Sequence, residues 1–187
     1  MIIGADEAND RDIIARSASL YASYGLRRVY YSAFSPIPSA SQSLPLRRPP
    51  LMREHRLYQA DWLMRYYGFA AEEIVDGARD GMLDLERDPK LAWALRNRAL
   101  LPIDVNRAPR ETLLRVPGLG ARVVKRILAA RRHVTLRIDD LAGLVRSLDA
   151  VRPFVVTPDW RPTGLIDAAS LAAKLASRGS RQLDLFA

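Results

Sequence analysis

Residues 116–120 read Val-Pro-Gly-Leu-Gly, and the cations Arg122, Lys125 and Arg126 follow at once. Apolar spacing through Leu113 and Leu114 on one side, and through Val123, Val124, Ile127 and Leu128 on the other, predicts two short helices joined by a tight turn. Glycine at 118 and 120 is expected to allow positive φ and removes the Cβ atoms that would hold a ligand off the main chain. The start of the second helix then offers backbone N–H groups from Gly118 to Ala121, where the helix dipole favours an anion. Leu119 is expected to point between the helices as a plug. Arg122, Lys125 and Arg126 add charge for neighbouring phosphates. The chemistry this implies is phosphate binding by main-chain groups.

The turn resembles the helix-hairpin-helix, a motif that binds the DNA backbone without reading sequence. The competing reading is an ordinary αα-turn with a glycine C-cap. The likeness reaches further, through Asp104, Asn106, Ala108 and Pro109 before the first helix and Arg131, Arg132, Asp139, Asp140 and Leu141 after the second. These residues resemble the double helix-hairpin-helix domain of competence-type DNA receptors. Asn106 is expected to cap the first helix, with Pro109 in its opening turn. A second hairpin is expected near Arg146, Ser147, Leu148 and Asp149, without glycines and so packing on the first instead of gripping phosphate. The resemblance implies a DNA-binding set of Val116, Pro117, Gly118, Leu119, Gly120, Ala121, Arg122, Lys125 and Arg126. It further implies a monovalent cation, K+ or Na+, on the carbonyls of Leu114, Val116 and Leu119.

Charge is concentrated over the same stretch. The chain carries a formal +8 over 187 residues, with a pI near 10.3. Between residues 104 and 137 stand Arg107, Arg110, Arg115, Arg122, Lys125, Arg126, Arg131, Arg132 and Arg137, opposed by Asp104 and Glu111 alone. Nine minus two leaves seven of the eight net charges in this segment. A local excess of this size fits a polyanionic partner, against the alternative of a merely solvated helical face.

At 49% hydrophobic the chain can bury a core, and its pattern predicts two or three small units. No run approaches the roughly 20 apolar residues of a membrane span. Residues 1–6 do not read as a signal peptide. The sequence has no cysteine, which fits a cytoplasmic, nucleoid-associated protein and excludes a cysteine-held cluster or zinc site in this chain.

The first third has another texture. Residues 1–5 form a short apolar run, residues 10–24 show helical spacing through Ile13, Ile14, Ala18 and Tyr21, and residues 28–34 are rich in β-formers. Strand, helix, strand is a βαβ unit, which is expected to join a larger parallel sheet. These segments, with residues 51–63 and the hairpin domain behind them, resemble the C-terminal half of the DNA modification or repair radical S-adenosylmethionine family, over about residues 1–160. Genes of that family often lie beside one for a uracil-DNA glycosylase-like protein, which the resemblance makes a possible partner. It implies S-adenosylmethionine and a 4Fe-4S cluster, held by cysteines this chain lacks. The chain is therefore expected to be a fragment or shortened form, uncatalytic alone, contributing the last strands of a barrel. Gly4, Ala5, Asp6 and residues 32–35 would lie at strand ends, where parallel folds place ligand contacts.

Residues 36–50 carry five prolines around Arg47 and Arg48 and read as an extended linker. Leu57, Ala60, Met64 and Tyr67 recur at helical spacing, as do Tyr58, Trp62 and Tyr66 beside them. A stacking platform would use these aromatics, but the core reading is favoured. His55 and His133 share no ligand spacing. Asp88, with Pro89 behind it, starts a helix expected to buttress the hairpin domain. A glycosylase reading would make Asp139 or Asp140 catalytic, but both look like a helix start, and Val124 stands where that family's lysine would.

After the break at residues 157–162, residues 165–176 show weak amphipathicity and 177–180 read as a spacer. The ending Gln182, Leu183, Asp184, Leu185 and Phe186 resembles the peptide by which polymerases and repair proteins dock on the sliding clamp, Leu185 and Phe186 entering an apolar pocket. The expected architecture is mainly α, with a small N-terminal α/β segment from a truncated parallel barrel and a double helix-hairpin-helix domain. Its parts are 1–35 (βαβ), 36–50 (linker), 51–99 (helical connector), 100–157 (hairpin domain) and 158–187 (tail). The expected function is sequence-independent DNA-backbone binding as the targeting part of a repair or modification system; the alternative is a structural or protein-interaction module with no DNA affinity.

Overall fold

A computed structural model describes residues 1–37, 41, 43–162 and 171. The chain divides into two compact units, Met1–Pro89 and Lys90–Ala187, which splits the expected 51–99 connector between them. Among the described residues the protein is mainly helical, with eight α-helices and two pairs of short parallel strands.

In the first unit, β1 (Ile2–Ile3) pairs in parallel with β2 (Ser32–Ala33), Ile2 opposite Ser32 and Ile3 opposite Ala33. Between them runs α1 (Asp10–Tyr24), started by a reciprocal cap: the Asn9 side chain accepts the Asp12 N–H at 3.0 Å, and the Asp12 carboxylate accepts the Asn9 N–H at 3.1 Å. Gly25 stops it in the left-handed conformation, φ 62°. α2 (Leu51–Tyr67) ends the same way at Gly68, and α3 (Ala71–Val75) follows.

The strands are far shorter than expected, and no third strand joins them among the described residues. Side chains of α2 stand where that strand would be. The N–H groups of Ser32 and Phe34 bond to the carbonyls of Met1 and Ile3, so those of Tyr31 and Ala33 face the opposite edge. There the Glu54 carboxylate accepts the Ala33 N–H at 2.7 Å. The Tyr58 hydroxyl accepts the Tyr31 N–H at 3.0 Å and donates to the Tyr31 carbonyl at 2.9 Å. An exposed ladder edge is thus capped by polar side chains, and any further strand would have to add beside β1.

Two buried carboxylates hold the helices of this unit. Asp10 accepts from Arg53 Nε at 2.7 Å and from the Leu83 N–H at 2.9 Å. Asp61 accepts from the Tyr21 hydroxyl and from Arg65 Nε at 2.8 Å. The apolar stripe of α2 is Leu57, Ala60 and Leu63; Trp62 and Tyr66, expected in the core, are 53% and 48% exposed and lean on one another with ring centroids 5.0 Å apart. Asp6 and Gly4 have local duties. The Asp6 carboxylate accepts the Ala8 N–H at 3.1 Å, and Gly4, at φ 76°, packs so closely on Pro49 that a Cβ would lie 2.9 Å from its ring.

The second unit opens with α4 (Pro89–Arg96), whose first residue belongs to the unit before. β3 (Ile103–Asp104) pairs in parallel with β4 (Val155–Val156) and so clasps the two ends of everything between. Inside the clasp lie α5 (Arg110–Arg115), α6 (Ala121–Ala130), α7 (Ile138–Leu144) and α8 (Leu148–Val151). Their core is apolar: Leu113, Val124, Ile127, Leu141, Val151 and Phe154 are fully buried.

Asn106 does not cap α5; Pro109 occupies the N-cap position and makes no side-chain bond. Instead the Asn106 amide clamps the backbone of Leu136, donating to its carbonyl at 3.0 Å and accepting its N–H at 2.8 Å. A free amide satisfies both groups of a buried backbone unit, which a helix cap would not have done. Arg131 joins the same staple, Nη1 bonding the carbonyls of Val105 at 3.1 Å and Ala108 at 2.7 Å. At the start of α7 the Asp140 carboxylate accepts the Arg137 N–H at 2.8 Å and Asp159 accepts that of Ile138 at 3.2 Å.

Candidate nucleic-acid interface

The turn between α5 and α6 is closed by the Leu119 N–H donating to the Val116 carbonyl at 3.1 Å. Pro117 and Gly118 are its central residues, and φ 80° at Gly118 is the conformation a type II turn demands at that place. Only Gly118 needs glycine for its dihedrals. Gly120, at φ −85° and ψ 164°, is extended backbone that any residue adopts, which corrects the expectation of positive φ at both. Gly118 is also held from within, since a Cβ there would meet Val151 Cγ2 at 2.7 Å. α8 therefore backs directly onto the turn.

The amides of the turn divide into two sets. Leu119 and Val124 bond to the carbonyls of Val116 and Gly120. Among the described residues, the N–H of Gly118 in the turn and the four at the start of α6, of Gly120, Ala121, Arg122 and Val123, have no acceptor. Gly120 is the N-cap of α6 and brings no side chain to satisfy them. Elsewhere, α1 and α7 receive side-chain acceptors at their starts and have acids in their first turns; α6 has neither. A ten-residue helix that begins uncapped and without acids in its first turn keeps the positive end of its dipole open to solvent.

Side chains around the turn sort by burial. Leu119 is 1% exposed, the plug the spacing predicts. Val116 and Pro117 are buried too, so their side chains shape the turn from within. Gly118, Arg122, Lys125 and Arg126 are exposed. Among the described residues Arg122 and Lys125 form no ion pair, and Arg126 makes only a long 3.4 Å bond to the Leu144 carbonyl. Not every cation of the segment is outward: Arg131 belongs to the staple, and the Arg115 guanidinium lies 5.2 Å from the ring centre of Trp93.

One residue that no motif singled out reaches the site. Lys90, 8% exposed on the first turn of α4, donates from Nζ to the Leu119 carbonyl at 2.6 Å. The expectation that this helix buttresses the hairpin is met at one atom. Its position, 29 residues before the plug, left no periodic signal in the sequence.

Other expected sites fare differently. His55 and His133 are exposed, and no group of three or more His, Asp or Glu side chains among the described residues is placed to hold a metal. Asp140 and Asp159 serve the start of α7, and Asp139 is exposed beside them. A cysteine-held iron–sulfur cluster does not fit a chain with no cysteine. Residues 182–186 lie outside the described residues, and no helix among the described ones is long and apolar enough to cross a membrane. Comparison with protein-family models, with curated proteins and with solved structures gives no match.

Proposed function

We propose that the second unit binds the phosphate backbone of DNA without selecting base sequence. The observation that carries this reading is the start of α6: four unsatisfied amides, no side-chain cap, no acid in the first turn, and exposed Arg122, Lys125 and Arg126 around it. Main-chain N–H groups and point charges see phosphate alike in every sequence, so specificity is slight. The resemblances extend the proposal. The chain would be the targeting part of a radical S-adenosylmethionine system whose cysteines come from another polypeptide, with a uracil-DNA glycosylase-like protein as neighbour and the sliding clamp as the partner of Gln182–Phe186.

The test is fluorescence anisotropy with labelled single- and double-stranded DNA across a salt series, using Gly120→Asp beside the native chain. An aspartate N-cap would satisfy the open amides from within and so preserve or raise helix stability while occupying the phosphate site. Affinity that falls steeply with salt, and by roughly ten- to a hundredfold in Gly120→Asp with an undiminished thermal midpoint, supports the reading. Absence of binding, or binding indifferent to that substitution, favours the protein-interaction alternative.

A further inference from the structure

The DNA-binding reading carries with it a monovalent cation on the carbonyls of Leu114, Val116 and Leu119. The structure disagrees at one of the three oxygens. The Leu119 carbonyl is taken by the Lys90 ammonium at 2.6 Å, a contact of the length a charge-assisted bond requires. An ammonium and a potassium ion are alike in charge and close in size, and two cations on one oxygen would repel. A free ion therefore has no place at Leu119 while Lys90 holds it.

We infer that Lys90 is the hairpin's own cation, tethered through α4, and that it tunes the phosphate site in place of a dissolved ion. This rests on the DNA-binding reading. The Leu119 carbonyl and the Gly120 N–H are two ends of one peptide group. A positive charge on the oxygen polarises that group and makes the Gly120 N–H, one of the four open amides, a stronger donor to an anion. The ammonium is held in place because α4 is anchored: Leu91 is 7% exposed, Ala94 fully buried, and Trp93, one turn beyond Lys90, lies under the Arg115 guanidinium. Lys90 is thus a positioning residue; it acts on phosphate through the turn and does not touch it. A buried ammonium is costly unless a polar group meets it, as the Leu119 carbonyl does here.

The experiment uses the full chain in potassium chloride, sodium chloride and choline chloride at equal ionic strength, with anisotropy on duplex DNA and thermal unfolding without DNA, for the native protein and Lys90→Met. The native protein is expected to bind within about twofold in all three salts, and its unfolding midpoint to ignore the cation. Lys90→Met is expected to bind roughly tenfold more weakly in choline and to recover in potassium, as its emptied Leu119 carbonyl accepts the ion. Its midpoint should be lower in choline and rise with potassium. A native protein that needs potassium for affinity or for its midpoint overturns the inference even if the variant does not fold, and so does a Lys90→Met protein with native behaviour in choline. Loss of DNA binding in every salt, with the midpoints as expected, would remove the DNA reading and leave the tethered cation standing.

Discussion

The two units put their charges to opposite uses. In the first, Asp10 and Asp61 are fully buried and each is met by an arginine of α2, Arg53 and Arg65. In the second, no carboxylate is buried among the described residues, the interior charge is the Lys90 ammonium, and most of the arginines of the helical segment face water. A buried pair fixes how helices meet but has no field left for a partner. An exposed, unpaired cation contributes little to folding and remains available to a polyanion. Net charge alone therefore misleads: a cation is open to a polyanion where it lacks an intramolecular partner, as Arg122 and Lys125 do among the described residues.

The sharpest way to break this contrast is to remove a carboxylate from the first unit. Asp10→Ala leaves Arg53 buried without its partner and the Leu83 N–H without an acceptor. A loss of about 3–5 kcal/mol is expected, read as early unfolding of that unit in urea, with the transition followed through Trp93 and Trp160 of the second unit little moved. Next in size is Gly118→Ala, which meets both a left-handed φ and Val151 Cγ2. It should cost about 1–3 kcal/mol in the second unit, followed by denaturation monitored through Trp93 and Trp160. A neutral result would mean that α8 gives way and the turn is looser than drawn.

Smaller in stability but sharper in function is Arg122→Ala. Stability should change by no more than about 0.5 kcal/mol, while the slope of log affinity against log salt falls by about one. An unchanged slope would remove Arg122 from the phosphate contacts.

The gentlest test is alkaline titration. Burial, then the hydrogen bond to Asp61, pushes Tyr21 up to about 12, and burial pushes Tyr31 higher still despite its bond with Ser17. A raised pKa means the fold favours the neutral phenol. This contribution is complete below the ordinary tyrosine value near 10 and is lost as pH climbs toward the folded value. All seven tyrosines lie in the first unit. Tyrosinate absorbance should therefore show two late-titrating groups there, and that unit's midpoint should fall from about pH 10 to about pH 12. Titration of all seven together would contradict the buried network.

How much of this was legible follows from the range of the forces involved. α1, α2 and the α5–turn–α6 hairpin were readable because periodicity, caps and glycines act within a few residues. Leu119 was readable as a plug for the same reason. Asn106 was misread because its residue type suits a cap equally well, and its true partner, Leu136, lies thirty residues away. The closure of β2 by Glu54 and Tyr58, and the reach of Lys90 to Leu119, are likewise long-range polar contacts to backbone atoms, which no local pattern encodes. Trp62 and Tyr66 show the converse: an aromatic stripe has helical spacing whether its rings end inside or outside.

The clasp of β3 on β4 also bears on the order of assembly. Ile103 with Val155 and Asp104 with Val156 pair across all four helices α5 to α8, so their pairing closes a long loop and gains nothing until the helices between have collapsed. The hairpin is therefore expected to form early and the clasp last. Val155→Ala is accordingly expected to quicken unfolding in stopped-flow traces while leaving the folding rate nearly as it was, a lock that sets how long the assembled hairpin lasts and not how fast it is made.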